Sequence, residues 1–251
     1  MAQLGPSTLA LACLIAVLAG IVKGVVGFAM PMVLISGLST IMQPNLALAA
    51  LILPTLVTNG MQALRQGPRA AARSARRFWV YLVVGGVFLG LSAQLVAMLP
   101  LRVLIGFIGV PVVVFALLQI LGWRLSLARQ DWRVEAGIGS FAGFLGGLSG
   151  IWGPPTVMYL TALGTEKAEQ VRVQGVIYGL GAVLLVGAHV TSGVLNGATW
   201  PLSAAMVPPA MVGMWIGGRV QDRIDQTMFR NVTLIVLLLA GLNLIRRALV
   251  G

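Results

Sequence analysis

A glycine- and proline-rich pattern occurs twice in the sequence, and its residue types could form a binding site for an anion. The first copy covers 20–31 and the second covers 143–154, so that three glycines and a proline match at a constant offset of 123 residues. Inside an apolar segment, glycine and proline favour a broken helix whose freed backbone groups face protein or a cavity. A helix that restarts after such a break presents free N–H groups and the positive end of its dipole, which attract anions. The alternative is that the glycines only allow neighbouring helices to pack closely.

A single lysine lies within the first copy, and a few neutral polar residues lie elsewhere in apolar segments. Lys23 is the only Lys or Arg in the first 63 residues, and a charge at membrane depth is costly and usually functional. Its side chain either attracts an anion or extends to the membrane surface. Asn59 and Tyr178 either offer hydrogen bonds to a substrate or join helices, and Trp152 either lines a cavity or anchors at the interface. The predicted substrate-binding residues are Lys23, Gly24, Gly27, Pro31, Asn59, Gly147, Gly150, Trp152, Gly153, Pro154 and Tyr178.

Several other kinds of chemistry are excluded by what the sequence lacks. One histidine cannot supply the paired haem ligands of a membrane cytochrome. The six acidic residues fall in predicted loops or at helix ends, which removes the usual carboxylate proton relay of transporters and the intramembrane hydrolases. The pattern of an ATP-binding P-loop is also absent. We therefore predict that the protein is not an enzyme and that it uses no metal or cofactor.

The composition identifies the elements that must position these residues as membrane helices. Hydrophobic residues make up 58% of the 251 residues, charged residues only 9%, and the mean hydropathy is +0.96. A soluble domain carries about 25% charged residues, whereas a helix of about 20 apolar residues crosses a bilayer. The predicted fold is therefore all-α and integral to the membrane, with about ten helices. They are expected at 7–22, 25–41, 45–63, 78–98, 102–121, 136–149, 153–163, 172–194, 201–218 and 229–249.

The duplicated pattern divides these helices into two transmembrane repeats of five, at 1–124 and 125–251. A repeat with an odd number of helices inserts its two copies in opposite orientations, as in many secondary transporters. The segments 25–41, 136–149 and 153–163 are short for a full span. We interpret them as parts of broken or re-entrant helices at the start of each repeat.

The positive charge of the chain indicates orientation in the membrane rather than binding to nucleic acid. The net charge is +11, and the segment 64–77 holds five arginines and no acid, which predicts a basic cytoplasmic loop. Counting helices from this loop places both termini in the periplasm. Arg246 and Arg247 near the C-terminus disagree with that count. The predicted partners are the lipid bilayer and a small anionic substrate, and the oligomeric state stays open.

The two patterns, together with Leu53-Pro54-Thr55 and Asn59, resemble those of the TauE/SafE family of membrane permeases over essentially the whole chain. This family is also called the sulfite exporter or toluene-sulfonate-uptake permease group. Where the family often has Gly-Gly after the third glycine, this chain has Phe28-Ala29-Met30, which shifts the expected main contacts to the second copy. The resemblance implies transport of sulfite, organosulfonates, sulfoacetate or thiosulfate across the bacterial inner membrane.

Export is the expected direction, because an inside-negative potential favours the exit of an anion by about 2.3 kcal/mol per charge per 100 mV. The alternatives are a carrier for another small organic anion or an uncharged solute, and a membrane assembly subunit that transports nothing. The identity of the anion and the coupling ion stay open.

Overall fold

The structure is a computed structural model that describes residues 5–93, 101–123, 126–149 and 152–250. Within these ranges there are twelve α-helices and no β-strand, which confirms the all-α prediction. In chain order the helices are α1 (Pro6–Val26), α2 (Met30–Leu38), α3 (Pro44–Leu64), α4 (Pro68–Arg77), α5 (Trp79–Ala93), α6 (Leu101–Ile120), α7 (Trp132–Ser149), α8 (Gly153–Ala162), α9 (Lys167–Thr191), α10 (Trp200–Ala205), α11 (Val207–Arg223) and α12 (Gln226–Val250).

Eleven of these helices overlap the predicted apolar segments, and α4 lies outside them. The predicted segment 201–218 contains both α10 and most of α11. The segment 64–77 was expected to be a loop, and this is wrong for 68–77, which form α4. Alanine and arginine are both strong helix formers, and the helix exposes its arginines while it buries Ala70 and Ser74. Helix α5 follows directly at an angle of 75° to α4.

Four helices of the described ranges are long and apolar enough to cross a membrane, namely α1, α3, α9 and α12. The bent pair of α4 and α5 is a fifth candidate if it forms one span, and α6 contains the shorter apolar helix Gly109–Ile120. A multi-pass membrane protein is therefore confirmed. The number of ten helices in two inverted repeats stays a prediction.

The chain divides into two compact units, of which the first comprises Met1–Pro68 and Gly175–Asp225. Here α1 packs against α11 through glycines. A Cβ added to Gly20 would lie 2.3 Å from the carbonyl oxygen of Ala210, so the two helix backbones touch. Helix α3 is joined to α10 by a hydrogen bond of 3.1 Å from the Leu53 N–H to Ser203 Oγ. The buried apolar cluster of this unit contains Ala12, Ala16, Ala19, Met30, Leu34, Leu38, Ala47, Ala50, Leu51, Leu202, Met206 and Ala210.

The second unit comprises Arg69–Gln174 and Gln226–Gly251. Helix α5 packs against α7, where a Cβ added to Gly143 would lie 2.1 Å from the carbonyl oxygen of Gly85. Helix α6 packs against α12 in a similar way at Gly109 and Gly241. Each unit joins helices from both of the predicted halves, 1–124 and 125–251. The division of the chain into two repeats at these bounds stays a prediction.

Candidate functional site

The first glycine–proline pattern contains a broken helix, as the sequence predicted. Helix α1 ends at Val26, and Gly27 has a left-handed φ of 85° while its N–H donates to the Lys23 carbonyl at 2.7 Å. Ala29 is also left-handed, with a φ of 72°, although this conformation costs a residue with a Cβ about 1 kcal/mol or more. Helix α2 restarts at Met30, and Pro31 lies in its first turn, where the missing N–H of proline is tolerated.

Lys23 lies one helical turn before this break and is buried, with 2% of its surface exposed. Its Nζ donates a hydrogen bond to Oδ1 of Asn59 on α3. The side chain therefore points to the inside of the first unit and does not extend to a surface. A buried ammonium group needs polar partners to offset its lost hydration, and the partner that the structure gives it carries no charge.

Two amides of α3, one helical turn apart, hold the surroundings of Lys23 in place. Asn59 Nδ2 donates to the backbone carbonyl of Tyr178 at 3.1 Å, which turns its oxygen towards the lysine. Gln62 Nε2 donates to the carbonyl of Gly27 at 2.9 Å and so fixes the helix break itself. Gln62 was not among the predicted site residues. The signal that could have found it is its spacing of three residues from Asn59, which places both amides on one face of an apolar helix.

The glycines of the first copy divide between two roles. A Cβ on Gly24 would lie 2.4 Å from the carbonyl oxygen of Met214, so this glycine permits the close packing of α1 and α11. Gly27 instead supplies the backbone conformation of the break. Tyr178, predicted either to offer a hydrogen bond to the substrate or to join helices, enters this cluster through its backbone carbonyl. Within the first unit, Lys23, Asn59, Gly27 and Tyr178 are thus joined by hydrogen bonds.

The second copy of the glycine–proline pattern lies in the second unit and, like the first copy, covers the end of one helix and the start of the next. Helix α7 ends at Ser149 and α8 begins at Gly153, with Pro154 buried in its first turn. Trp152 packs against α7, since a Cβ on Gly146 would lie 2.8 Å from its ring, and its carbonyl accepts a hydrogen bond of 2.9 Å from Thr156 Oγ1. Gly147 is half-buried. The predicted site residue Gly150 lies outside the described residues.

Glu135 is a second buried charged group, and sequence reasoning placed it only at a helix end. It lies in the first turn of α7 with 2% of its surface exposed. Its carboxylate accepts hydrogen bonds from the Tyr81 backbone N–H at 3.0 Å and from Gln130 Nε2 at 2.6 Å. Because Tyr81 lies in the first turn of α5, Glu135 caps that helix just after its bend. Groups of His, Cys, Asp and Glu that could hold a metal ion do not occur in the described parts of the chain.

Apolar helices, a helix break and a buried lysine with an amide partner define a multi-pass helical membrane protein with a polar site inside it. The family model for the sulfite exporter TauE/SafE matches residues 12–244. The chain therefore belongs to this family of membrane transporters, and the resemblance noted from its motifs is confirmed. No curated protein and no solved structure gives a significant match.

Proposed function

We propose that the protein exports a small sulfur-containing anion across the bacterial inner membrane by alternating access, and that Lys23 binds this anion. Sulfite, organosulfonates, sulfoacetate and thiosulfate are the substrate candidates, since the family transports sulfur anions. The observation that carries the proposal is the buried Lys23 beside a helix break with the neutral Asn59 as its partner. An ammonium group has three N–H donors. A bound anion would accept from those that Asn59 leaves.

Electrostatics favours an anion over other solutes at this position. Two opposite unit charges 4 Å apart attract each other by about 4 kcal/mol at an effective dielectric constant of 20. The restarting helix α2 adds the positive end of its dipole near the same break. A cation would be repelled by Lys23, and a neutral solute would gain only hydrogen bonds.

The pattern of helix packing supports an inverted duplication. At the offset of 123 residues that relates the two glycine–proline patterns, α1 corresponds to α7 and α5 to α11. The packing of α1 on α11 then becomes that of α7 on α5. Both contacts occur, each within its own unit, and α6 packs on α12, its own counterpart. In each pair, glycines carry the close approach. Swapping the two halves therefore reproduces these three helix pairs, as expected of a duplicated transporter.

The membrane potential is sufficient to drive export. The inside-negative potential assists the exit of an anion by about 2.3 kcal/mol per charge per 100 mV, so efflux needs no coupled ion. Uptake of an anion would need a coupled ion such as a proton. Glu135 is the buried carboxylate that could carry this proton. Its oxygens accept hydrogen bonds from Tyr81 and Gln130, which gives it a structural role instead. We assign the arginine-rich helix α4 to the cytoplasmic side and both termini to the periplasm.

Sulfite flux from proteoliposomes under an imposed potential tests this proposal. Lys23→Met should lower the efflux rate at least about tenfold, because hydrogen bonds to charged groups contribute about 1.5–3 kcal/mol. Asn59→Asp should also lower it, since a carboxylate beside Lys23 would take the place of the substrate. Arg73→Gln is the matched control, because Arg73 is an exposed cation on α4 and its loss should leave the rate unchanged.

Each other result contradicts a defined part of the proposal. If wild-type efflux does not depend on the membrane potential but depends on a proton gradient, export driven by the potential is refuted. Normal sulfite efflux in both Lys23→Met and Asn59→Asp would refute the site. If Lys23→Met speeds the flux of an uncharged solute, the protein is a carrier of that other class. If no solute crosses the membrane with the wild-type protein, an assembly role replaces transport.

A further inference from the structure

An apolar groove in the second unit has no part in the proposed transport site. It encloses about 270 Å³ between α6, α7 and α8. Its walls are side-chain hydrocarbon, with Phe115 from α6, Ile138 and Phe141 from α7, and Pro155 and Met158 from α8. Pockets for small-molecule ligands usually range from about 300 to 1,000 Å³ and include a few well-placed polar groups. This groove is smaller and more apolar, so it suits a thin hydrocarbon chain and not a hydrated anion.

One end of the groove lies where the start of α7 and the end of α8 meet the loop between α6 and α7. Ser126 and Leu127 of this loop line the groove, and the Leu127 N–H donates to the carbonyl of Ala162 at 2.8 Å, which ties the loop to the end of α8. Val134, in the first turn of α7, lines the same end. From Val134 to Phe141 the groove follows α7 for about 10 Å, at about 1.5 Å per residue. It therefore runs from the loop into the apolar part of the helices.

Exposed cationic and aromatic residues lie in the chain between Leu127 and Val134, two residues that line the groove. Arg129 and Arg133 are exposed and form no ion pair within the described part of the chain. The nearby Asp131 is engaged with the backbone, because its carboxylate accepts the Arg133 N–H at 2.7 Å. The Arg133 guanidinium lies 5.5 Å from the ring centre of Trp132, which is 63% exposed. Exposed tryptophans and arginines next to apolar helices are typical of the level of lipid head groups.

We propose that this groove binds one acyl chain of an anionic phospholipid, with the phosphate of its head group at Arg129 and Arg133. The acyl chain covers the apolar walls, and burial of its methylene groups stabilises the complex. The two arginines supply the charge that selects an anionic head group over a zwitterionic one. Occupancy of the groove would fix α6, α7 and α8 against one another.

Delipidated protein in detergent allows the test, with native mass spectrometry to count the bound lipids and thermal unfolding to measure stabilisation. Phosphatidylglycerol should bind more tightly than phosphatidylcholine with the same chains. Arg129→Gln and Arg133→Gln should each reduce this preference roughly fivefold. Ile138→Trp fills the groove and should abolish binding of both lipids, and Met158→Phe should do so more mildly if the first variant misfolds. Val114→Trp is the control, since Val114 is exposed on α6 and does not line the groove.

The proposal is wrong if filled grooves still retain lipid, or if the preference for phosphatidylglycerol survives the loss of both arginines. Glycerol 3-phosphate without acyl chains separates the two sources of the phosphate group. Stabilisation by this compound equal to that by phosphatidylglycerol would indicate a site for a free phosphate ester, and it would overturn the lipid assignment. Sulfite flux in Ile138→Trp should persist in the proteoliposome assay, so failure here leaves the transport proposal standing.

Discussion

Gly213 on α11 should not tolerate even one added methyl group. A Cβ at this position would lie 2.0 Å from the carbonyl oxygen of Val17, 2.8 Å from its carbonyl carbon and 3.0 Å from the nitrogen of Ile21. All three atoms belong to the backbone of α1, so no side chain can turn away to make room. Gly213→Ala therefore has to push the two helices apart.

The expected loss of stability follows from the distance by which α1 and α11 must move apart. A carbon atom normally stays about 3.3–3.6 Å from a carbonyl oxygen, so the local backbones must separate by about 1.3 Å. Overpacking of this kind typically costs about 1–3 kcal/mol. Alanine has a higher helix propensity than glycine, which offsets this cost by up to about 1 kcal/mol. We expect a net loss of about 1–2 kcal/mol, which corresponds to a melting temperature lower by about 2–8 °C.

Thermal unfolding of detergent-solubilised protein measures this loss, and α9 offers the matched control. Gly187 is also a helical glycine, but no atom beyond the backbone of its own helix turn lies within 4 Å of its added Cβ. Gly187→Ala should leave the melting temperature unchanged or raise it slightly. Gly20→Ala, on the facing helix, should behave like Gly213→Ala because its Cβ would meet the Ala210 carbonyl at 2.3 Å. If Gly213→Ala is as stable as Gly187→Ala, the close packing of α1 and α11 is wrong.

Substitutions at three further positions test the cap of α5 and the helix break by the same thermal measurement. Glu135→Ala should destabilise the protein by about 1–3 kcal/mol because it leaves the buried Tyr81 N–H unpaired. Glu135→Gln keeps an acceptor oxygen and should cost less. Equal losses of stability in the two variants would contradict the capping role. Gln62→Leu should cost about 1 kcal/mol by removing the donor to Gly27, and an unchanged melting temperature would argue against that hydrogen bond. Ala29→Gly should stabilise by about 1 kcal/mol, because glycine accepts a positive φ without strain, and a lower melting temperature would show that no strain is present.

The helix break in the first copy could be predicted from the sequence because its cause is local. Glycine and proline limit what the backbone can do wherever they stand, so Gly27 and Pro31 located the end of α1 and the start of α2 to within a few residues. The helix at 68–77 was not predicted from the sequence. Its arginines indicated position relative to the membrane, and that signal hid the helix propensity of the alanines among them.

Tertiary contacts were not predictable in the same way, because they depend on partners far along the chain. Gly24 could serve substrate binding or packing, and only the presence of Met214 on α11 shows that it serves packing. Glu135 looked like an ordinary helix-end acid, and its burial depends on Tyr81, which lies 54 residues away. Periodicity reports which face of a helix is apolar, but it does not name the helix that covers that face.

If Lys23 binds the anion as proposed, the choice of asparagine as its partner has a consequence for transport. An aspartate at position 59 would neutralise Lys23 and leave little attraction for an anion, since the two buried charges would already be satisfied. An apolar residue would leave the ammonium without a partner and raise the cost of burying it. Asparagine lies between aspartate and an apolar residue in its effect on the charge. The Asn59 oxygen accepts a hydrogen bond from Lys23 without neutralising its charge, and the Asn59 amide nitrogen donates to the Tyr178 carbonyl. A carrier that must bind an anion and then release it needs this balance, because a site that is too attractive would not let the anion go.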